Sequence, residues 1–482
     1  MSLLHCMSDE CVKSELDLFT VPLTQTAIEK NTYIEYPPIS AISDLSPIEF
    51  FIAGTGEDYT DLNNTLLFTR VKITMPDGSD CPEGAPVTVL NYPAATIFSQ
   101  VDVSLGDRLV SQPSSTYPYR CIIETLINYG RDTLESNFSA GLFFKDTAGS
   151  MDSTIPGAGN EGLTKRAAFT NASNVVELLA PIHCDMFFQP KLLLNGVDIR
   201  IRLTRAKDAF CLMSGDAIDY KLKILSASLF VKRVSVSPAV RLGHAQALLS
   251  ATAKYPIDRV CVKNFSIPAG ARVSNHENLF LGTLPKSIIL AMTDNSAFTG
   301  AYDKNPFAFK HFNLEYLNLT ADGVSNPNRP LQPQYNLGNA VREFYQLVSA
   351  TGRHLKNQPL AIDREDFLNG YTLYAFNLTP DDECVFPSDY LPKAPLVDTP
   401  ALLISNTDAS GDPGQHWVAM HRDLTMKNIE CDFAESQYKL VSIEGSESGS
   451  QHKSYTKEII AYHRFCKAEQ GDRACEGGGR WL

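Results

Sequence analysis

Residues 98–130 place four backbone signals end to end, and few folds accommodate them in that order. Val101, Val103 and Leu105 alternate with Asp102 and Ser104, the period-two pattern of a strand with one buried face. Gly106 and Asp107 turn the chain back into Arg108, Leu109 and Val110, which predicts a tight hairpin. After Tyr117, Pro118 and Tyr119 the period changes. Ile122, Ile123, Leu126 and Ile127 make a helical stripe, with Gly130 where a C-terminal cap belongs. Nothing in this unit carries catalytic chemistry, so it reads as scaffold.

The same texture recurs along the chain. Strand signals are dense at 48–53, 66–74, 175–179, 199–203 and 221–236, and Asn195-Gly196 predicts a hairpin between 191–194 and 197–203. Residues 130–165 interleave glycines with Ser, Thr, Asp and Asn, which predicts a long surface excursion from the sheet. No GxxxxGK[ST] or GxGxxG pattern makes that run a phosphate cradle. Residues 239–253 read as a partly helical linker, and β texture resumes at 260–267, 287–293 and 312–319. A second helix is expected at 338–350, with Val341, Phe344, Leu347 and Val348 on one face and Gly352 just behind. The two halves therefore rhyme, and the strand around 313–319 takes the part of 101–105.

Composition narrows the function classes. With 482 residues, 44% of them hydrophobic, 25 Phe, 19 Tyr, 28 Pro and 29 Gly, the chain can bury large cores and turn often, which favours an all-β architecture with few helices. A formal charge of -13 argues against a protein that coats nucleic acid. The 11 cysteines are scattered without a CxxC pair, which favours reduced thiols inside a cell. Residues 1–21 carry Asp9, Glu10, Glu15 and Asp17 and lack the pattern of a secretory signal. No apolar run approaches the about 20 residues of a membrane span.

Three clusters invite a chemical reading. His183-Cys184-Asp185 offers metal-ligand types, but on a strand only His183 and Asp185 share a face. Asp381-Asp382-Glu383 lacks a flanking ligand loop and reads as a solvated turn. Arg120, beside Tyr117 and Tyr119, suits a buried or interface-forming loop. No metal, cofactor or catalytic residue is assigned.

Three separated blocks resemble, in order, the major capsid protein of Polinton (Maverick) elements, virus-like DNA transposons of the adenovirus-hexon-like lineage. The first is LGDRLVS, STYPYR and IETLINYG within 105–130, followed by Phe143 to Asp146. Residues 181–212 form the second, and residues 305–323 together with 366–381 the third. The resemblance spans roughly residues 15–395. It implies a double jelly roll, two antiparallel β-sandwich barrels in one chain, that assembles with itself as a homotrimeric, pseudo-hexameric capsomer and contacts other capsid subunits. It implies no enzyme activity, no membrane or small-molecule partner, no nucleic-acid specificity, and a location in the nucleus or in a virus-like particle.

The expected division is an N-terminal arm at 1–45, a first jelly roll at 46–238, a linker at 239–256, a C-terminally truncated second jelly roll at 257–395 and a divergent tail at 396–482. Within the tail, residues 400–422 resemble the adenain-type cysteine protease of the same elements, where His416 before Trp417 is a remnant of the catalytic base. Neither Cys431, Cys466 nor Cys475 lies in a recognisable nucleophile motif, and Asp432 is a weak match to the orienting acid. The expected chain is thus a degraded or mis-joined structural protein; the alternatives are a cysteine peptidase carried by the tail and a host-adopted β-sandwich binding module.

Overall fold

A computed structural model describes residues 14–379, apart from positions 17, 20, 22, 23, 45, 278, 280–284, 322, 357 and 358, and beyond them the backbone of five strands. In the first half the strands are β1 (Ile28–Tyr36), β2 (Ile48–Ile52), β3 (Tyr59–Thr74), β4 (Val87–Val89), β5 (Phe98–Leu105), β6 (Arg108–Leu109), β7 (Val176–Pro181), β8 (Ile199–Arg205), β9 (Leu212–Ser214) and β10 (Lys221–Val236). They pair as one sheet in the order β1-β10-β3-β7 and a second in the order β2-β8-β5-β6, with β4 and β9 forming a short ladder of their own. Apart from β4 and β9, the chain changes sheet at every step except β5 to β6, a hairpin within one sheet, which is the jelly-roll path. Period-two burial sets the interior: β2 buries Ile48, Phe50 and Ile52, and β8 buries Ile199, Ile201 and Leu203.

The second half repeats this path. Its strands are β11 (Asp258–Ile267), β12 (Val273–Glu277), β13 (Ser287–Asp294), β14 (Leu314–Ala321), β15 (Val324–Leu331), β16 (Leu373–Asn377), β17 (Phe386–Pro387), β18 (Leu402–Asn406), β19 (Trp417–His421), β20 (Tyr438–Gly445) and β21 (Lys457–Cys466). The sheets run β11-β21-β13-β16 and β12-β20-β14-β15, while β17, β18 and β19 form a separate three-stranded sheet between β16 and β20. With the eight barrel strands of each half renumbered in chain order, both halves read 1-8-3-6 and 2-7-4-5. The rhyme seen in sequence is therefore topological: β5 and β14 hold the same place, and each is followed by a hairpin and a helix, Tyr117–Asn128 in one half and Val341–Ala350 in the other.

Several sequence expectations change. The closing strands that a barrel ending near 395 lacks are supplied by β20 and β21, which lie in the stretch read as a divergent tail. β21 pairs antiparallel with β11 on one side and β13 on the other, although no sheet partner is legible for it in sequence. Two expectations are kept: the linker is helical at Pro238–Leu248, and the arm is extended as β1, which pairs with β10. Gly130 does not cap its helix in the left-handed region; its φ is -79° and it precedes the short helix Arg131–Glu135. The Asn195-Gly196 turn forms, but residues 191–194 make no hairpin strand, because Leu193 bridges Thr60 instead, with N–H···O bonds of 2.9 and 2.8 Å.

The largest change concerns residues 130–165. Instead of a surface excursion, they carry Phe138, Leu142, Phe143, Met151 and Leu163 into a core cluster that is continuous across both barrels. Glycine serves close approach here: a Cβ at Gly162 would stand 2.4 Å from the Lys145 carbonyl oxygen. Gly106 serves the β5–β6 turn with φ of +57°.

Candidate functional site

The densest chemistry lies where the two barrels meet. The helix Tyr117–Asn128 has Pro118 in its first turn and buries every residue from Tyr117 to Ile127, polar ones included. Arg120 therefore reaches its partners out of water. Its Nε donates to Glu124 Oε1 at 3.0 Å and its Nη2 to Asp185 Oδ1 at 2.6 Å. Glu124 Oε2 lies 2.8 Å from His183 Nδ1, and the Tyr92 hydroxyl is 3.3 Å from His183 Nε2. The Tyr117 hydroxyl accepts the His183 backbone N–H at 3.1 Å. Asp185 Oδ1 also accepts the backbone N–H of Val260 in β11 at 3.2 Å, so the network crosses from the first barrel to the second.

A second network crosses nearby. The Arg166 side chain is fully buried; its Nη2 donates to Asp146 Oδ1 at 2.6 Å and its Nε and Nη1 donate to the carbonyls of Val89 and Phe144. Asp146 Oδ2 accepts Asn305 Nδ2 at 3.0 Å, and the Asp146 carbonyl accepts the Tyr371 hydroxyl at 2.8 Å. Lys310 Nζ sits 2.8 Å from both Asp152 and Asp294, and Lys145 pairs with Asp366. Aromatic packing fills the space between the networks: the Tyr119 ring stacks on Phe298 at 5.4 Å and meets Phe307 edge-on at 5.7 Å.

These environments favour fixed charge pairs over reactivity. Burial pushes the Glu124 carboxyl up, but Arg120 and His183 together outweigh it and hold the group below the ordinary glutamate value. Burial raises the thiols of Cys184 and Cys211 to about 12 and that of Cys261 to about 11, so they stay protonated and weakly nucleophilic. Among the described residues, no three His, Cys, Asp or Glu side chains gather as a metal site. A cleft of about 230 Å³, reached by Ile127, Lys286, Gly352 and Asn377, is smaller than the roughly 300 Å³ at which ligand pockets begin.

His183 and Asp185 do converge, though not as ligands and not on a strand; they flank the start of the 3-10 turn Asp185–Phe187 and grip opposite ends of the Glu124–Arg120 pair. Arg120 and Tyr119 are buried, but on a helix where a loop was expected; Arg120 bonds Asp185 of its own barrel, and the Tyr119 ring stacks on Phe298 of the second. Residues 381–383, His416, Cys431, Asp432 and Cys475 lie outside the described residues, while the backbone of 402–406 pairs antiparallel with 417–421. Sequence reasoning missed Arg166, Lys310 and Tyr371. The signal available for Asp146, Lys310 and Tyr371 was their place inside the resemblance blocks ending at Asp146 and spanning 305–323 and 366–381; Arg166 had none.

No family model matches the chain. Over 373 residues it is 23% identical to the uncharacterized protein F54H12.2 of Caenorhabditis elegans, spanning 75% of this chain and 86% of that one. Among solved structures, a chain of the Sputnik virophage superposes with a TM-score of 0.50 at 11% identity, covering 95% of this chain and 90% of its own. A second, from PBCV-1 VP54 fitted into the Sputnik reconstruction, also gives 0.50, at 10% identity, covering 92% and 96%. The chain thus has the double jelly-roll fold of viral major capsid proteins, and at such identities the likeness is one of fold.

Proposed function

We propose that the protein is a structural shell subunit, the capsid protein of a Polinton-like element, assembling as homotrimers whose six barrels make a pseudo-hexagonal capsomer. The observation that carries this reading is the pairing of two barrels of identical strand order across one continuous core. Such a chain offers a rigid block with near two-fold repetition, the shape from which rings are tiled. Its charge of -13 suits contacts among proteins over contacts with nucleic acid, and its buried arginines Arg120 and Arg166 are engaged in structural pairs with Asp185 and Asp146. Its partners are then further copies and other shell subunits, its place is the nucleus or a virus-like particle, and it needs no cofactor and catalyses nothing.

Light scattering of the purified chain at micromolar concentration tests this. A species of three times the 53.1 kDa chain mass is expected. A strictly monomeric species would overturn the reading.

A further inference from the structure

β14 is entered through a strained turn. His311, Phe312 and Asn313 are half-buried, and the last two sit in the left-handed region with φ of +47° and +51°. Asparagine tolerates that region, but a side chain as bulky as Phe312 adopts it only where the surroundings compel it. One side chain closes the turn: His311 Nδ1 accepts the Asn313 backbone N–H at 3.0 Å. The His311 carbonyl in turn accepts the Leu314 N–H at 3.0 Å, which sets the buried Leu314 at the start of β14. The counterpart strand β5 is entered through Ile97 at φ of -71°, so the device belongs to the second barrel.

A ring nitrogen that accepts an N–H carries no proton, so the neutral imidazole holds its single proton on Nε2. Protonation sets one N–H against another at Nδ1 and removes the acceptor from the turn. The surroundings offer the cation little. The Tyr335 ring stacks on the imidazole with centroids 4.0 Å apart, and its hydroxyl meets that of Tyr374 at 2.6 Å. Glu343, buried on the helix Val341–Ala350, acts electrostatically on both phenols. On the chain side, Lys310 Nζ is held at 2.8 Å by both Asp152 and Asp294. Among the described residues no carboxylate bonds the ring, and burial lowers its pKa below the ordinary histidine value.

We infer that His311 is a pH-operated catch: the neutral ring holds the 311–313 turn in its left-handed form, and the imidazolium lets that turn go in mild acid. The unfolded ring takes up its proton at the ordinary histidine value, and the folded ring only below it. The stability carried by the neutral ring is therefore full above the ordinary value and is lost as pH falls from there toward the folded one. The release has somewhere to spread. Lys310, one residue earlier, clasps Asp152 from the first half and Asp294 of β13, so a loosened turn weakens the anchorage of one contact between the barrels. A single chain suffices for this behaviour, which stands apart from the shell reading.

Hydrogen exchange across 309–316, corrected for the chemical rate, tests this at about pH 7.5 and about pH 5, on either side of the ordinary histidine value. Protection in the unaltered chain is expected to fall in acid, by up to about tenfold for each pH unit by which the folded ring titrates below the ordinary value. An NMR titration of the His311 ring supplies that difference. His311→Asn keeps an acceptor for the N–H two residues on and does not titrate, so its protection should be equal at both pH values. His311→Phe keeps a ring on Tyr335 and loses the acceptor, so its turn should exchange fast at both. Equal protection of the unaltered chain at the two pH values, a ring that titrates at or above the ordinary value, or an undiminished acid loss in His311→Asn overturns the inference. If either variant fails to fold, the exchange and ring titration of the unaltered chain decide it alone.

Discussion

The two repeat-related helices carry buried glutamates with opposite fates. Glu124, in Tyr117–Asn128, is caught between Arg120 and His183 and held below the ordinary glutamate value. Glu343, in Val341–Ala350, is equally buried at 4% exposure, but burial dominates over Arg342 and pushes its carboxyl up. The same element in the same topology is a charged anchor in one barrel and an apolar clamp in the other. What separates them is the neighbour: the first helix meets His183 and Asp185, which follow β7 in its own barrel and supply its partners, and the second lies against its own sheet and solvent.

The comparison breaks most visibly at the arginines. Arg120→Ala leaves Glu124 and Asp185 buried without their cation, so it should cost about 3–5 kcal/mol in chemical denaturation. Arg342→Ala, on an exposed position of the counterpart helix, should stay within about 0.5 kcal/mol. Equal losses would erase the distinction. Next come the apolar faces: Leu126→Ala should cost about 2–5 kcal/mol, and clearly more than Val348→Ala, which truncates a half-buried side chain.

Titration sharpens the contrast further. Because Glu124 has a depressed folded pKa, its contribution is present above the ordinary glutamate pKa and is lost as pH falls through the folded one. Glu124→Gln should therefore be less stable than the unaltered chain at neutral pH, and the difference should shrink in acid urea titrations. The smallest effect belongs to Glu343. With a raised folded pKa, it favours the fold below the ordinary value and loses that contribution as pH rises through the folded one. Glu343→Gln should remove this loss, so its stability relative to the unaltered chain should climb with pH; a flat difference would show that the carboxyl is not desolvated.

Much of the scaffold was legible because its signals are local. The strands at 98–105 and 221–236 match their expected ends, and the stripe of Ile122, Ile123, Leu126 and Ile127 is buried as its spacing predicts. The site was legible at Arg120 with Tyr117 and Tyr119, and at His183 and Asp185, whose residue types stand out in sequence, but even there the partners were not. Residues 130–165 misled because Gly, Ser and Asn mark turns without saying whether the turns face water or another barrel. β21 was missed because its partners, β11 and β13, are about 170–200 residues away in the chain, as their pairing shows.

By itself the sequence determined the period of each element, the β-rich class and the rhyme between halves, since alternation, turn residues and helical spacing act within a few residues. Only the tertiary structure decided that the glycine-rich stretch is core, that Arg120 and Arg166 are interior cations, and that distant C-terminal strands complete the second barrel. Those outcomes depend on which surfaces exclude water from one another, and desolvation is a property of the assembled neighbours and not of any one segment.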